Sequence, residues 1–368
     1  MNKKIIWSTT GILIVLIIIF IVHQNKVVPQ PQAPIKIGAL LSLTGGASAW
    51  GENSQKGIAL AVEEVNAKGG INGRQVEVLY EDTASDPKVS VSAFQKLISL
   101  DHVDAIIGPL NQTETAPVIP LIAENNIPTI APGFLPLKDR QNIYNPIFVW
   151  TDAEIEAGRL AQYVYEKGIR TVGVIGTLDA WENTVTTAFA DKFKALGGTV
   201  TALEKVQPDS SDMKLSVTKV VATKPQAIYL GTYYQFVNSL KEIHTQGYKG
   251  QLFGIEVDDY LATETSKWSN GLQFIAPNYY TTTFIDNFRA KYSAEPGMPA
   301  GQSYDAAKIL FSILEQGDRS KVLEAMKNFK EYTGVSGKLT ISPEGRTSLP
   351  TAIFEIKDGK ISRAVSLE

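Results

Sequence analysis

The segment from Ile35 to Glu81 constrains the fold more than any other part of the chain. Ile35–Leu41 (IKIGALL) is a short apolar run that breaks at once into Ser42, Thr44, Gly45 and Gly46. An apolar run of that length followed by small polar residues predicts a buried strand and its exit loop. From Gly51 the period changes: Ile58, Ala61, Val62 and Val65 share one helical face, with Glu52 early in the helix. Lys68–Gly69–Gly70 predicts a left-handed helix end, and Asn72–Gly73 turns the chain into a second strand, Gln75–Glu81. In such a β-loop-α-β unit the loop after the first strand opens into the ligand crevice. Trp50, a large aromatic at the end of a loop of small residues, is therefore a binding candidate.

The same alternation continues. Asp86–Pro87 is a cap followed by proline at the first helical position, and the helix to Leu100 has Val89, Ala93, Leu97 and Leu100 inward. Strand Val103–Gly108, a helix interrupted by Pro117 and Pro120, and strand Ile127–Ala131 follow. A second set starts near Asp152: a helix Ala153–Lys167, strand Thr171–Gly176, a helix to Leu196, then strands Thr199–Val206, Ala227–Gly231 and Gln251–Ile255 with helices between them. Their exits carry Trp181, Tyr233 and Glu256. Late helices at Thr283–Tyr292, Gln302–Glu315 and Lys321–Lys330 precede three strand-like segments. The expectation is an α/β protein of two Rossmann-like, doubly wound lobes.

Composition removes several function classes. Lys plus Arg number 35 against 38 acidic residues, a net charge of −3, so no basic footprint points to nucleic acid. There is no cysteine, which excludes disulfides, thiol catalysis and thiolate metal sites. His23, His102 and His244 are too dispersed to predict a metal cluster. No P-loop, G-x-S-x-G or H-E-x-x-H motif occurs. No cofactor is expected. Residues 5–22 are almost wholly apolar behind Lys3 and Lys4, which fits a signal peptide or a membrane anchor. The chain after Val22 reads HQNKVV and lacks a small-residue cleavage pattern, favouring an uncleaved anchor with its N-terminus inside. Residues 23–34, with three prolines, read as an extended linker. The rest of the chain is expected outside the cytoplasm.

Four passages, IKIGALLSLTGGASAWGE, VNAKGGINGRQVEVLYEDTASDPK, AIIGPLNQTETAPVIPLIAENNIPTIAP and VGVIGTLDAW, carry a family likeness. The chain resembles the type I periplasmic binding proteins, in particular the leucine/isoleucine/valine-binding receptors of ABC importers. The resemblance implies two lobes joined by three hinge crossovers: residues 35–150 with 276–347, and residues 151–275 with 348–368. It implies a monomer that closes on a small molecule and hands it to permease subunits; a ligand-sensing ectodomain would use the same lobes. It also implies a pocket. Trp50 matches the aromatic after the first strand. The hydroxyl position after the third strand falls at or next to Gln112, within Leu110–Asn111–Gln112. The small-small-threonine run after the fourth strand falls at Gly133, Phe134 and Leu135, so its threonine is absent. Trp181 and Tyr233 match aromatic positions of the second lobe, although Tyr234 competes with Tyr233. Glu256 matches the carboxylate that pairs a ligand ammonium. The cation-holding side of an amino-acid site is thus kept and the carboxylate-holding side altered, which implies a small amine-bearing ligand.

Overall fold

The computed structural model describes residues 32–140, 143–278 and 280–367. The apolar segment 5–22 and nearly all of the linker lie outside the described residues. Among the described residues no helix is long and apolar enough to cross a membrane.

The first sheet is parallel throughout. Its strands are β1 (Ile35–Leu41), β2 (Val76–Asp82), β3 (Ala105–Ile107), β4 (Thr129–Ala131) and β5 (Ile147–Phe148), in the order β2-β1-β3-β4-β5. Parallel strands need crossover connections, and these cover both faces. Helix α1 (Ser48–Ala67) lies on one face and α2 (Pro87–Ser99) on the other; α3 (Gln112–Thr115) and α4 (Ile119–Asn125) join β3 to β4. The helix expected between β3 and β4 is broken into short pieces because Pro117 and Pro120 each remove a donor. Asp86 caps α2 by accepting from the backbone N–H of Lys88 and Val89.

Two sequence expectations shift by half a turn. The buried stripe of α2 is Ser90, Ala93, Phe94 and Leu97, whereas Val89 and Leu100 are exposed. Helix α1 begins at Ser48, which draws Trp50 out of the loop and into the first turn. The reason is Asp82, whose carboxylate accepts from the N–H groups of Leu43, Thr44 and Ala84 and from the Thr44 hydroxyl, so the loop closes early.

The second sheet is larger. After α5 (Ala153–Glu166) come β6 (Thr171–Thr177), α6 (Ala180–Ala195), β7 (Thr199–Val206), α7 (Lys214–Ala222), β8 (Ala227–Gly231), α8 (Phe236–Thr245), β9 (Gln251–Ile255), α9 (Asp259–Glu264) and β10 (Gln273–Pro277). The chain then returns to the first sheet with α10 (Thr282–Tyr292), α11 (Ala300–Leu314) and α12 (Arg319–Lys327). A small antiparallel sheet follows, β11 (Glu331–Gly334), β12 (Gly337–Ile341) and β13 (Thr347–Ser348). It ends with β14 (Thr351–Lys357) and β15 (Lys360–Leu367), which complete the second sheet in the order β15-β14-β10-β9-β8-β6-β7. Helix α11 packs on α1: Ile58, Ala61, Ala300, Ala307 and Leu310 share one core. Each such aliphatic side chain contributes about 1.5–3 kcal/mol on full burial.

The chain therefore passes between the sheets three times, and the passages are bound to one another. Asp152 on the first accepts from the N–H and hydroxyl of Thr347 and forms a buried ion pair with Arg140. Leu349 N–H on the third donates to the Thr151 hydroxyl at 3.0 Å, and Arg159 donates to the Leu349 carbonyl and the Ser348 hydroxyl. Asn278 N–H on the second donates to the Pro350 carbonyl at 3.0 Å.

Candidate ligand-binding site

The exit loops of both sheets face one another, as the crevice rule for parallel sheets requires. Between them lies a cavity of about 100 Å³. From the first sheet, the α1 turn supplies Gly46, Ala47 and Trp50. The β3 exit supplies Leu110, Asn111, Gln112 and Thr113, and the β4 exit supplies Gly133 and Phe134. From the second come Asp179, Trp181 and Glu182 at the start of α6, Tyr233 and Tyr234 after β8, Glu256 after β9, and Trp150 on the first passage. Nine of the ten residues singled out from sequence, all but Leu135, line this cavity. Leu135 is buried to one side, packed with Ala131 and Phe148, because the chain turns inward after Phe134.

Trp50 holds its place through close backbone packing. A Cβ on Gly51 would lie 2.0 Å from the Ser42 carbonyl oxygen, so only glycine lets α1 start against the β1 exit. The Trp50 ring then reaches across the cleft, 5.5 Å from the Trp150 ring and edge-on to Tyr233 at 6.4 Å. It packs against the cores of both sheets.

Glu256 is 4 % exposed and takes a left-handed backbone, φ 48°, at the end of β9. Such a conformation in a non-glycine residue costs on the order of 1 kcal/mol or more and persists where surroundings enforce it. Here its N–H donates to the Ile275 carbonyl, and the Trp150 indole Nε1–H donates to its Oε1 at 2.7 Å. Glu256 is expected from sequence to pair a ligand ammonium, and the structure adds a second buried carboxyl beside it. Glu156, fully buried on α5, faces it. Neither Glu156 oxygen meets an N–H or O–H donor, so the contact between the two carboxyls requires a shared proton. Burial, above all, pushes Glu256 up to about 7, with the Trp150 and Glu156 hydrogen bonds acting against it. Burial and the neighbouring Glu256 push Glu156 well above the usual carboxylate range.

Glu182 is the second carboxylate that sequence reasoning missed. It is fully buried at the start of α6; its Oε1 accepts from Tyr233 N–H at 2.8 Å and Tyr234 N–H at 3.0 Å. Burial raises its pKa, while the nearby Thr177 and Thr232 hydroxyls and those two N–H groups pull it back. Asp179 caps α6 through the N–H of Trp181 and Glu182. On the opposite wall Asn111 is fixed by Ser42 and by buried Glu114. Gln112 can turn either end of its amide to a ligand, and Thr113 adds a hydroxyl beside it. Tyr233 donates its hydroxyl to Asp258 at 2.8 Å, so its ring is held as a wall, and Tyr234 joins it there. No Lys, Arg or His is among the described residues lining the cavity. Among the described residues no group of acidic and histidine side chains is arranged to hold a metal.

Comparison with known proteins places this architecture. A family model described as periplasmic binding protein matches residues 34–360. The chain belongs to that family. The periplasmic binding protein described here is 26 % identical to the Leu/Ile/Val-binding protein BraC3 of Rhizobium johnstonii, over 91 % of this chain and 95 % of the relative. It is 27 % identical to the Leu/Ile/Val-binding protein homolog 3 of Brucella melitensis, covering 89 % and 93 %. Its fold is that of the leucine binding protein LivK of Thermotoga maritima (TM-score 0.83, 24 % identity, 91 % and 99 % covered). A solute binding protein of an ABC transporter from R. palustris, in complex with benzoate, has the same fold at 18 % identity (TM-score 0.79, 90 % and 96 % covered). As a periplasmic binding protein the chain is a member of a solute-binding family.

Proposed function

We propose that this protein is an extracytoplasmic receptor for a small amine-bearing solute, a branched-chain amino acid or a related compound, which it delivers to an ABC importer. The observation that carries the reading is Glu256: a buried carboxylate at a strand exit, fixed by Trp150, in a cavity it shares with the rings of Trp50 and Tyr233 and whose lining, among the described residues, has no basic side chain. A cation there gains charge pairing and ring-face attraction, on the order of 0.5–2 kcal/mol per aromatic contact. The similarity to Leu/Ile/Val-binding proteins supports an amino acid or close analogue. An aromatic carboxylate such as the benzoate of the R. palustris structure would meet Glu256, Glu182 and Asp179 with no cation to offset them.

In this reading Trp50, Leu110, Asn111, Gln112, Gly133, Phe134, Trp181, Tyr233 and Glu256 contact the solute, with Leu135 behind them. Residues 35–150 with 276–347 move as one lobe and 151–275 with 348–368 as the other, hinged at the three passages. The protein works as a monomer. Residues 5–22 remain as a membrane anchor, and residues 23–34 are the spacer that holds the lobes outside the cytoplasm.

Native mass spectrometry of gently purified protein tests the reading. A carried-over nitrogenous compound that is lost in Glu256→Gln is expected. A carried carboxylic acid without an amine, retained in Glu256→Gln, would overturn it.

A further inference from the structure

We infer that Asn111 turns its amide oxygen to the solute, and that the solute carries an uncharged hydrogen-bond donor at that wall, a carboxamide or an alcohol, in place of a carboxylate. This rests on the amine-binding reading above and narrows it. Asn111 stands just before α3, where an asparagine ordinarily gives its side-chain oxygen to the first N–H groups of the helix. Here the side chain makes no such cap. Its Nδ2 instead donates twice, to the Ser42 hydroxyl oxygen at 3.2 Å and to Glu114 Oε1 at 3.1 Å. An amide nitrogen has two hydrogens, so both are spent on groups behind the wall. The oxygen is the end that remains, and Asn111 lines the cavity.

Glu114 is the positioning residue that fixes this orientation. It is fully buried in α3, and its two carboxyl oxygens accept from the Ser42 hydroxyl at 2.8 and 3.0 Å. Reversing the Asn111 amide would set its oxygen against a carboxylate oxygen and against a hydroxyl whose single hydrogen is already given to Glu114. Each of those pairs would be acceptor against acceptor. Burial raises the Glu114 pKa, while the hydrogen bonds from Ser42, Asn111 and Thr83 act against it and favour the carboxylate.

Gln112, next along the same wall, has a buried Oε1 with no hydrogen-bond partner. A solute therefore meets a fixed acceptor at Asn111 and an adaptable amide at Gln112. A carboxamide satisfies both, giving an N–H to Asn111 and pairing with either end of Gln112; an alcohol gives its one hydrogen to Asn111. A carboxylate can only accept. It would leave the Asn111 oxygen unpaired, and no Lys, Arg or His among the described lining residues offsets its charge. A site built around a hydrogen-bonding group discriminates against analogues that cannot complete the bond.

Calorimetric titration of the full-length protein at pH 7 with leucinamide, leucinol, leucine and 3-methylbutylamine tests the inference. The four share an amine and a branched chain and differ only in the group offered to Asn111. Leucinamide and leucinol are expected to bind about tenfold more tightly than 3-methylbutylamine, the effect of one hydrogen bond, and more tightly than leucine. Glu114→Gln gives Asn111 a neighbour that can donate as well as accept, so the amide is free to reverse and the leucinamide-to-leucine ratio should fall toward one. A merely structural role for Glu114 would weaken both ligands alike, and an unchanged ratio in the folded variant overturns the inference. Should that variant fail to fold, the ranking of the four ligands on the unaltered protein decides the matter. Leucine binding most tightly, or leucinamide and leucinol no better than 3-methylbutylamine, overturns the inference and leaves the amine reading standing. Binding of none of the four overturns both.

Discussion

Glu156 and Glu256 set the chemistry of the site at the scale of single residues. Two carboxyls buried together cannot both be ionised at neutral pH without a donor between them, so the ligand-free pair keeps a proton. An ammonium pairs with the ionised form, so binding strengthens as pH rises through about 7, where Glu256 titrates. Burial raises Glu256, and Glu156→Gln leaves both that burial and a hydrogen-bond donor in place, so the midpoint of the affinity–pH curve should stay near 7 in that variant, as read by calorimetry from pH 5 to 9. Stability has the opposite slope. A carboxyl whose folded pKa lies above its unfolded value binds a proton more tightly when folded, so this contribution is present below about 4.5 and is lost as pH rises through about 7. Asp305, raised by burial to about 6, adds in the same direction. Ligand-free protein should therefore melt at lower temperature at pH 8 than at pH 5, and Glu156→Gln should flatten the difference. Part of this site was visible in the sequence. Strand-exit residues such as Trp50, Tyr233 and Glu256 stand out because position alone aims them at the crevice. Glu156 and Glu182 did not, because they sit inside helices where a carboxylate ordinarily faces water. A signal was nonetheless there: Glu156 falls in register with Ala153, Ala157 and Leu160, and Glu182 with Val185, Thr186 and Phe189, each a charge inside a buried stripe.

Helices and strands were legible wherever the hydrophobic period was long enough to read. The alternation of β6 through β9 with their helices follows from it directly. The two-residue strand β5 and the six-residue helix α9 carry too few residues for a period and were not anticipated. The α2 stripe was misplaced because Val89 and Leu100 keep helical spacing with Ala93 and Leu97, while the buried role falls to Phe94. Glu64 accepts from the Tyr304 hydroxyl because α11, distant in sequence, covers that flank of α1. That packing has a sharp steric requirement at Gly57, where a Cβ would lie 2.0 Å from the Ala300 carbonyl oxygen. Both partners are helix backbone and cannot yield locally. Gly57→Ala should lower stability by about 1–3 kcal/mol, despite the higher helix propensity of alanine, as measured by denaturant unfolding.

The two large sheets are joined by three bonded passages, which is the arrangement of a hinge. The buried ion pair Arg140–Asp152 lies in the first passage and shares Asp152 with Thr347 of the third. Asp152→Asn strands the Arg140 charge, and removal of one partner from a buried pair costs about 3–5 kcal/mol; the melting temperature should fall accordingly. Hinge closure requires that the ligand bind the closed form more tightly than the open one. Small-angle scattering should show a smaller radius of gyration at saturating ligand than in ligand-free protein. The central claim, that a buried Glu256 captures a small amine between the lobes, is tested most directly by calorimetric titration of the unaltered protein and Glu256→Gln with a panel of amino acids, amines and aromatic acids. The account predicts saturable binding of at least one amine or amino acid, weakened by about 1–3 kcal/mol in Glu256→Gln, the range for a lost charged hydrogen bond. Binding confined to neutral or anionic aromatics, unchanged in Glu256→Gln, would contradict it.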